Sequence, residues 1–201
     1  MKRIRIETPR LILREYEWAD LHHHHTLISD PSIMYYIQDV FTHSLAESRE
    51  NLRQAILAIA EPSRSKVYLV IQTKSGAYVG GIGYTVSEQS PAGKRVEIGY
   101  FTDPQFRGKG YVSEALSALM AYAFTQDGVY RIDGTCIQEN FRSARVMERC
   151  GMRPEGVRRA YEWHVESLKG RCYYGLLMEE WKEDRNGRSK SDTTTEERTT
   201  I

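Results

Sequence analysis

Apolar positions along this chain switch between two spacings, and the switches mark its elements. The run Leu11-Ile12-Leu13 predicts a first strand. A helix follows through residues 18–29 and is expected to stop at Asp30-Pro31, because a residue before proline disfavours the helical region. Leu52, Ala55, Ile56 and Ile59 recur at helical spacing within residues 46–60 and predict a second helix ending near Glu61-Pro62. Three β-rich runs come next, at 67–73, 77–86 and 95–102. The links between them, Lys74-Ser75-Gly76 and residues 88–94, are too short for a parallel crossover, so these strands should pair antiparallel. Residues 111–126 return to helical spacing through Leu116, Leu119, Met120 and Ala123. A strand at 129–137 follows, then a short helix at 141–150 with Asn140 as N-cap and Gly151 just past its end. Late strands are expected around Ala160–Val165 and Tyr173–Trp181. The stretch from Val96 to Cys136 reads strand–helix–strand and is the one clear parallel crossover. The fold class is α+β, a mixed sheet with helices.

Composition sets the limits of that unit. Of the twenty residues after Trp181 only Ile201 is aliphatic. Such a segment cannot bury enough surface to offset its ordering entropy, so residues 183–201 read as a disordered polar tail and residues 1–182 as one domain. No apolar run reaches the roughly 18–20 residues of a membrane span. The N-terminus alternates charge and aliphatics rather than forming a leader, and the expected location is cytoplasmic. With 28 basic and 27 acidic residues the net charge is +1, which disfavours strong nucleic-acid binding. Cys136, Cys150 and Cys172 are odd in number and form no CxxC pair, so neither a disulfide framework nor a thiolate zinc site is expected.

The most informative stretch runs from Val96 to Met120. A strand ends near Thr102, a loop carries Gln105, Arg107, Gly108, Lys109 and Gly110, and a helix opens at Tyr111. A helix N-terminus presents unpaired N–H groups and the positive end of its dipole. Glycines allow close backbone approach, and Arg107 and Lys109 add positive charge. The chemistry is that of a phosphate or pyrophosphate cradle, although neither a P-loop nor a dinucleotide fingerprint is present.

Gln105-x-x-Gly108-x-Gly110 between strand and helix resembles the acetyl-CoA pyrophosphate loop of the GNAT N-acyltransferases. Residues 8–21 and 28–37 resemble the N-terminal strand and helix of the branch containing ribosomal-protein N-terminal acetyltransferases, and residues 140–161 resemble a later segment of it. Met152 stands where that branch usually has an aromatic. The resemblance covers about 170 residues in order, and it implies a GNAT-like domain. Its mostly antiparallel sheet would have about seven strands, one parallel splayed pair and about four flanking helices. It implies an acetyl-CoA-dependent N-acetyltransferase in which a primary amine, on a protein N-terminus or a small molecule, attacks the thioester directly. Backbone groups of Tyr100, Phe101 and Thr102 would pair with pantetheine, and N–H groups from Arg107 to Tyr111 would hold the pyrophosphate. Asn140 matches a residue contacting the pantetheine arm, and Ser143 one near the sulfur. Glu97 and Glu162 match positions used as the base. No metal is implied, and the branch leaves room for a homodimer and for a ribosomal partner.

Bland roles fit several of these residues. Asn140 caps a helix in any case, Ser143 suits a first turn, and Glu97 and Glu162 read equally as structural or surface carboxylates. Four consecutive histidines, His22–His25, point around a helix axis, and only His22 and His25 share a face. A metal site is therefore not expected there. Arg142, Arg145 and Arg149 read as a solvated helix face or as contacts to CoA phosphates. Two other functions use the same features: an acyl-CoA sensor without turnover, or a ribosome-associated module bound through the arginines after Asn140.

Overall fold

Leu11, Leu13 and Glu15 are buried while Ile12 and Arg14 between them are half-buried, the two-residue period of a strand. The computed structural model describes this strand and its neighbours over residues 3–61 and 64–185. Eight strands form one sheet: β1 (Arg5–Glu7), β2 (Leu11–Glu15), β3 (Lys66–Thr73), β4 (Tyr78–Ser90), β5 (Gly93–Thr102), β6 (Val129–Ile137), β7 (Arg153–His164) and β8 (Ser167–Leu177). Their order is β1-β2-β3-β4-β5-β6-β8-β7. Every neighbouring pair is antiparallel except β5 and β6, which run parallel as expected. The eighth strand is β1, three residues too short to show a period and held to β2 by a turn in which Thr8 N donates to Leu11 O at 3.0 Å.

Both sheet faces are covered, which explains the nearly continuous apolar run of β3. Leu69 and Ile71 face the core under α4 (Tyr111–Gln126), where Ala115, Leu116, Leu119, Met120, Ala123 and Phe124 are buried. Truncating Leu116 or Leu119 to Ala would cost on the order of 2–5 kcal/mol. Val70 faces the opposite side and meets Leu52 and Ala55 of α3 (Leu45–Ala60). On that face α1 (Leu21–Ile28) and α2 (Pro31–Met34) pack Leu27, Ile28, Ile33 and Met34 with Phe101 of β5. The face of α3 is turned slightly from the expected one. Ala58 is buried, and Ile56 and Ile59 are only half-buried.

Several boundaries differ from the sequence expectation. The helix through 18–29 splits into a 3-10 turn, Trp18–Asp20, and α1. Asp30-Pro31 then starts a helix as well as ending one: the Asp30 carboxylate accepts from Ser32 N and Ile33 N, and Pro31 takes the first helical position, where no N–H is needed. The last strand ends at Leu177, and residues 178–185 are helical, with Trp181 set against Phe124 at 5.4 Å. β7 and β8 are longer than predicted because Val165 and Glu166, both at positive φ, form the turn between them without the usual Asn-Gly signal. Residues 186–201 of the polar segment, and Pro62, lie outside the described residues. Among the described residues no helix is long and apolar enough to cross a membrane.

Candidate active site

The parallel pair sets the geometry of the site. β5 and β6 are paired from Lys94↔Val129, through an irregularity after Lys94, to Glu97↔Asp133 and no further, although β5 runs to Thr102 and β6 to Ile137. On their outer sides both stay paired, β5 with β4 to Thr102↔Gly80 and β6 with β8 to Ile137↔Arg171. The inner edges beyond Glu97 and Asp133 therefore diverge without a ladder between them. Backbone N–H and C=O groups on such an edge need partners, so a ligand carrying amides fits the wedge. Across its mouth lies α5 (Phe141–Arg149), pressed onto β6 at Gly134, where an added Cβ would come 2.7 Å from Met147 Sδ. Asn140 caps α5 by accepting from Ser143 N at 3.2 Å. The Tyr100 hydroxyl reaches over from β5 to Ser143, 2.9 Å from Oγ and donating to the carbonyl oxygen at 3.1 Å. Burial pushes the Tyr100 hydroxyl well above its ordinary pKa, so it stays protonated.

At the end of β5, Asp103 caps a short 3-10 turn and accepts from Gln105 N and from Gln105 Nε2, both at 2.9 Å. Gly108 and Gly110 follow at φ of +75° and +76°, the left-handed region glycine enters freely. Gly110 is the N-cap of α4 and supplies no side chain to its first turn. The exposed N–H groups of that turn are left for an anion. Arg10 braces the loop: its Nη1 donates to Lys109 O at 3.0 Å and its Nε to Glu114 at 2.6 Å, while Thr8 Oγ1 holds the other Glu114 oxygen at 2.6 Å.

The wedge and the loop open into one cleft of about 1650 Å³. Of the residues singled out in the sequence, Glu97, Tyr100, Phe101, Thr102, Arg107, Gly108, Gly110, Tyr111, Asn140, Ser143 and Glu162 line it, as do Arg142, Arg145 and Arg149. Gln105 and Lys109 stand outside the lining; Gln105 is turned to Asp103, and Lys109 Nζ sits 5.4 Å over the Phe106 ring. Strand alternation divides the rest. Glu97, Gly99 and Phe101 lie on the face of α1 and α3, and Tyr100 with Ser143 on the face of α4 and α5. A thioester in the wedge would thus have a carboxylate on one side and two hydroxyls on the other.

The cleft also takes in His24 of the histidine run, and His164 and Arg171, which carried no readable sequence signal. His24 is buried and donates from Nε2 to Asn51 Oδ1 at 2.9 Å, leaving Nδ1 without a partner. Burial lowers its pKa against the opposing effect of Asn51, so the imidazole is neutral. The neighbouring histidines do different work: His23 stacks on Tyr78 at 5.5 Å, and His25 Nδ1 lies 2.8 Å from Ser48 Oγ. Among the described residues no cluster of His, Cys, Asp or Glu is arranged for a metal. His164 is also buried and stands edge-on to Tyr35 at 4.9 Å. Arg171 grips Glu162 with both ends of its fork at 2.6 Å, and its pKa is raised chiefly by that carboxylate. The Cys136 thiol, also in the lining, is pushed up to about 11 by burial and by the facing Cys172.

A splayed parallel pair beside an uncapped helix N-terminus suits an elongated ligand that carries amides and an anion, and comparison with known proteins gives the class. The acetyltransferase (GNAT) domain family matches residues 10–153, so the chain belongs to this family and is an enzyme of the N-acyltransferase class. The uncharacterized N-acetyltransferase YnaD of Bacillus subtilis (strain 168) is 32% identical over 182 residues, spanning 88% of this chain and 98% of its own. Two solved structures share the fold. RimL, a ribosomal L7/L12 alpha-N-protein acetyltransferase in complex with coenzyme A, matches 87% of this chain and 98% of its own with a TM-score of 0.76 at 21% identity. A spermidine N-acetyltransferase from Vibrio cholerae, in complex with CoA and spermine, matches 87% and 99% with a TM-score of 0.76 at 20% identity.

Proposed function

We propose that the chain moves the acetyl group of acetyl-CoA to a primary amine by direct attack in a ternary complex. The observation that carries this is the unladdered wedge beyond Glu97 and Asp133, which leads straight to the uncapped start of α4. Inner-edge backbone groups of Tyr100, Phe101 and Thr102 would pair with the pantetheine amides, and N–H groups from Arg107 to Tyr111 would hold the pyrophosphate. The thioester supplies an activated acyl carbon and a leaving thiol with a pKa near 8.5.

The chain's own groups then have separate tasks. Glu97, on the α1–α3 face, takes the proton that the amine nitrogen loses as its bond to the acyl carbon forms. A β5 N–H beside the thioester stabilises the oxyanion. As the C–S bond breaks, the Ser143 hydroxyl hydrogen-bonds the departing thiolate, which takes its proton from solvent, and Glu97 returns the amine proton to solvent. Tyr100 donates to the Ser143 carbonyl oxygen at 3.1 Å and so holds this turn beside the wedge. Holding both reactants in one cleft supplies much of the rate. Relatives named for a ribosomal protein N-terminus and for spermidine both act on primary amines, and the acceptor here is of that class.

The test is a thiol-release assay with acetyl-CoA across a panel of peptides and small amines. Release with at least one amine, lowered about 10–100-fold by Ser143→Ala, is the expected outcome. CoA binding without release across the panel would favour a sensor and sink the proposal.

A further inference from the structure

We propose that Arg171 and Thr135 are positioning residues for the proton acceptor: Arg171 occupies Glu162 and aims the Thr135 hydroxyl at Glu97, so that Glu97 alone presents a free oxygen to the amine. The inference rests on the acetyl transfer proposed above. Nε and Nη2 of Arg171 donate to the two Glu162 oxygens at 2.6 Å each, a fork-to-carboxylate pair. Its remaining arm, Nη1, donates to Thr135 Oγ1 at 2.8 Å. A hydroxyl has one proton. With a guanidinium donating to its oxygen, the Thr135 proton is directed onward to Glu97 Oε1, at 3.2 Å. No other hydrogen bond reaches Glu97 among the described residues, so Oε2 stays open to the cleft.

The fold puts these four side chains in one row. Thr135 faces Tyr173 across β6 and β8, which places Arg171, two residues earlier, on the same side. The irregularity between Arg158 and Glu162 resets β7 so that Glu162 faces Lys169, again on that side. Transfer of the amine proton to Glu162 would leave Arg171 without its counter-charge in a half-buried position, whereas Glu97 has no such partner to lose. Asp133 on β6 stands opposite Glu97 and is itself held by Arg131 at 2.7 Å and by Arg95 at 3.6 Å, Lys66 on β3 lies beyond Thr85 of β4 in the same row, and His24 of α1 lines the same cleft.

Thr135→Val should lower kcat about 10-fold while KM for acetyl-CoA stays near the wild-type value. Thr135→Ser should restore kcat, and Arg171→Lys, which keeps the charge but not the fork, should reproduce much of the loss. Wild-type kcat in Thr135→Val would overturn the positioning role. If Glu97→Gln keeps the acidic limb of the kcat/KM–pH profile and Glu162→Gln removes it, the base is Glu162 and the proposal fails at its root.

Discussion

Gly110 joins the backbone conformation of the loop to its capacity for an anion, and substitutions there separate the two. At φ of +76° an L side chain costs roughly 1–2 kcal/mol, and a β-branched one more. The added Cβ would lie 3.5 Å from Arg10 Nη2, an ordinary contact, so the cost is conformational rather than steric. In a chain of this size each kcal/mol lowers Tm by about 2–4 °C. Gly110→Ala should thus lose about 2–8 °C and Gly110→Val more, whereas Gly110→Asn, which tolerates the left-handed region, should lose little. Binding should follow a different order. Helix N-terminal anion interactions reach about 2 kcal/mol in favourable geometry, and each 1.4 kcal/mol is tenfold in Kd. Under the proposed pyrophosphate assignment, a side chain at 110 intrudes where the phosphates would lie. Both Gly110→Val and Gly110→Asn should therefore weaken acetyl-CoA binding by about tenfold or more. Scanning calorimetry gives the first quantity and titration calorimetry the second. Wild-type affinity in Gly110→Asn and Gly110→Val, with only Tm altered, would show that the loop is structural and that the anion binds elsewhere.

Three further outcomes follow from the same geometry. A Cβ on Gly99 would meet nothing within 4 Å, so Gly99→Val should leave Tm nearly unchanged while filling the cleft floor between Glu97 and Phe101; steady-state kinetics should show KM for the amine rising more than KM for acetyl-CoA. His24 is neutral when folded because burial depresses its pKa, so the unfolded chain binds its proton first as pH falls. The stability it contributes is full above its ordinary value near 6.5 and is lost as pH falls through that value toward the depressed one, and His24→Gln should flatten the Tm–pH curve below about pH 6.5. A chain ending at Arg185 is expected to keep wild-type Tm and turnover, and one ending before Trp181 to melt earlier through loss of the Phe124 contact.

What the chain determined by itself is what depends on local spacing. The period of Leu116, Leu119, Met120 and Ala123 requires a helix with one apolar side, and the short links on either side of β4 exclude parallel pairing. Gly108 and Gly110 before Tyr111 mark a helix start open to an anion, and Asn140 and Gly151 bracket α5. Each signal lies within a few residues of the structure it dictates, because hydrogen bonds and steric limits act over that range. The partnerships across the cleft are of another kind. Arg171 reaches Glu162 over a bulge, Tyr100 reaches Ser143 across 43 residues, and His24 finds Asn51 on a neighbouring helix. No local pattern distinguishes a carboxylate that meets a guanidinium from one that does not; the family resemblance leaned to Glu162 as the base, and its pairing with Arg171 appears only once the sheet is assembled. The register of β6, β8 and β7 puts Glu162 on Arg171 and Glu97 on Thr135, since a shift of one residue turns every side chain on a strand to the opposite face.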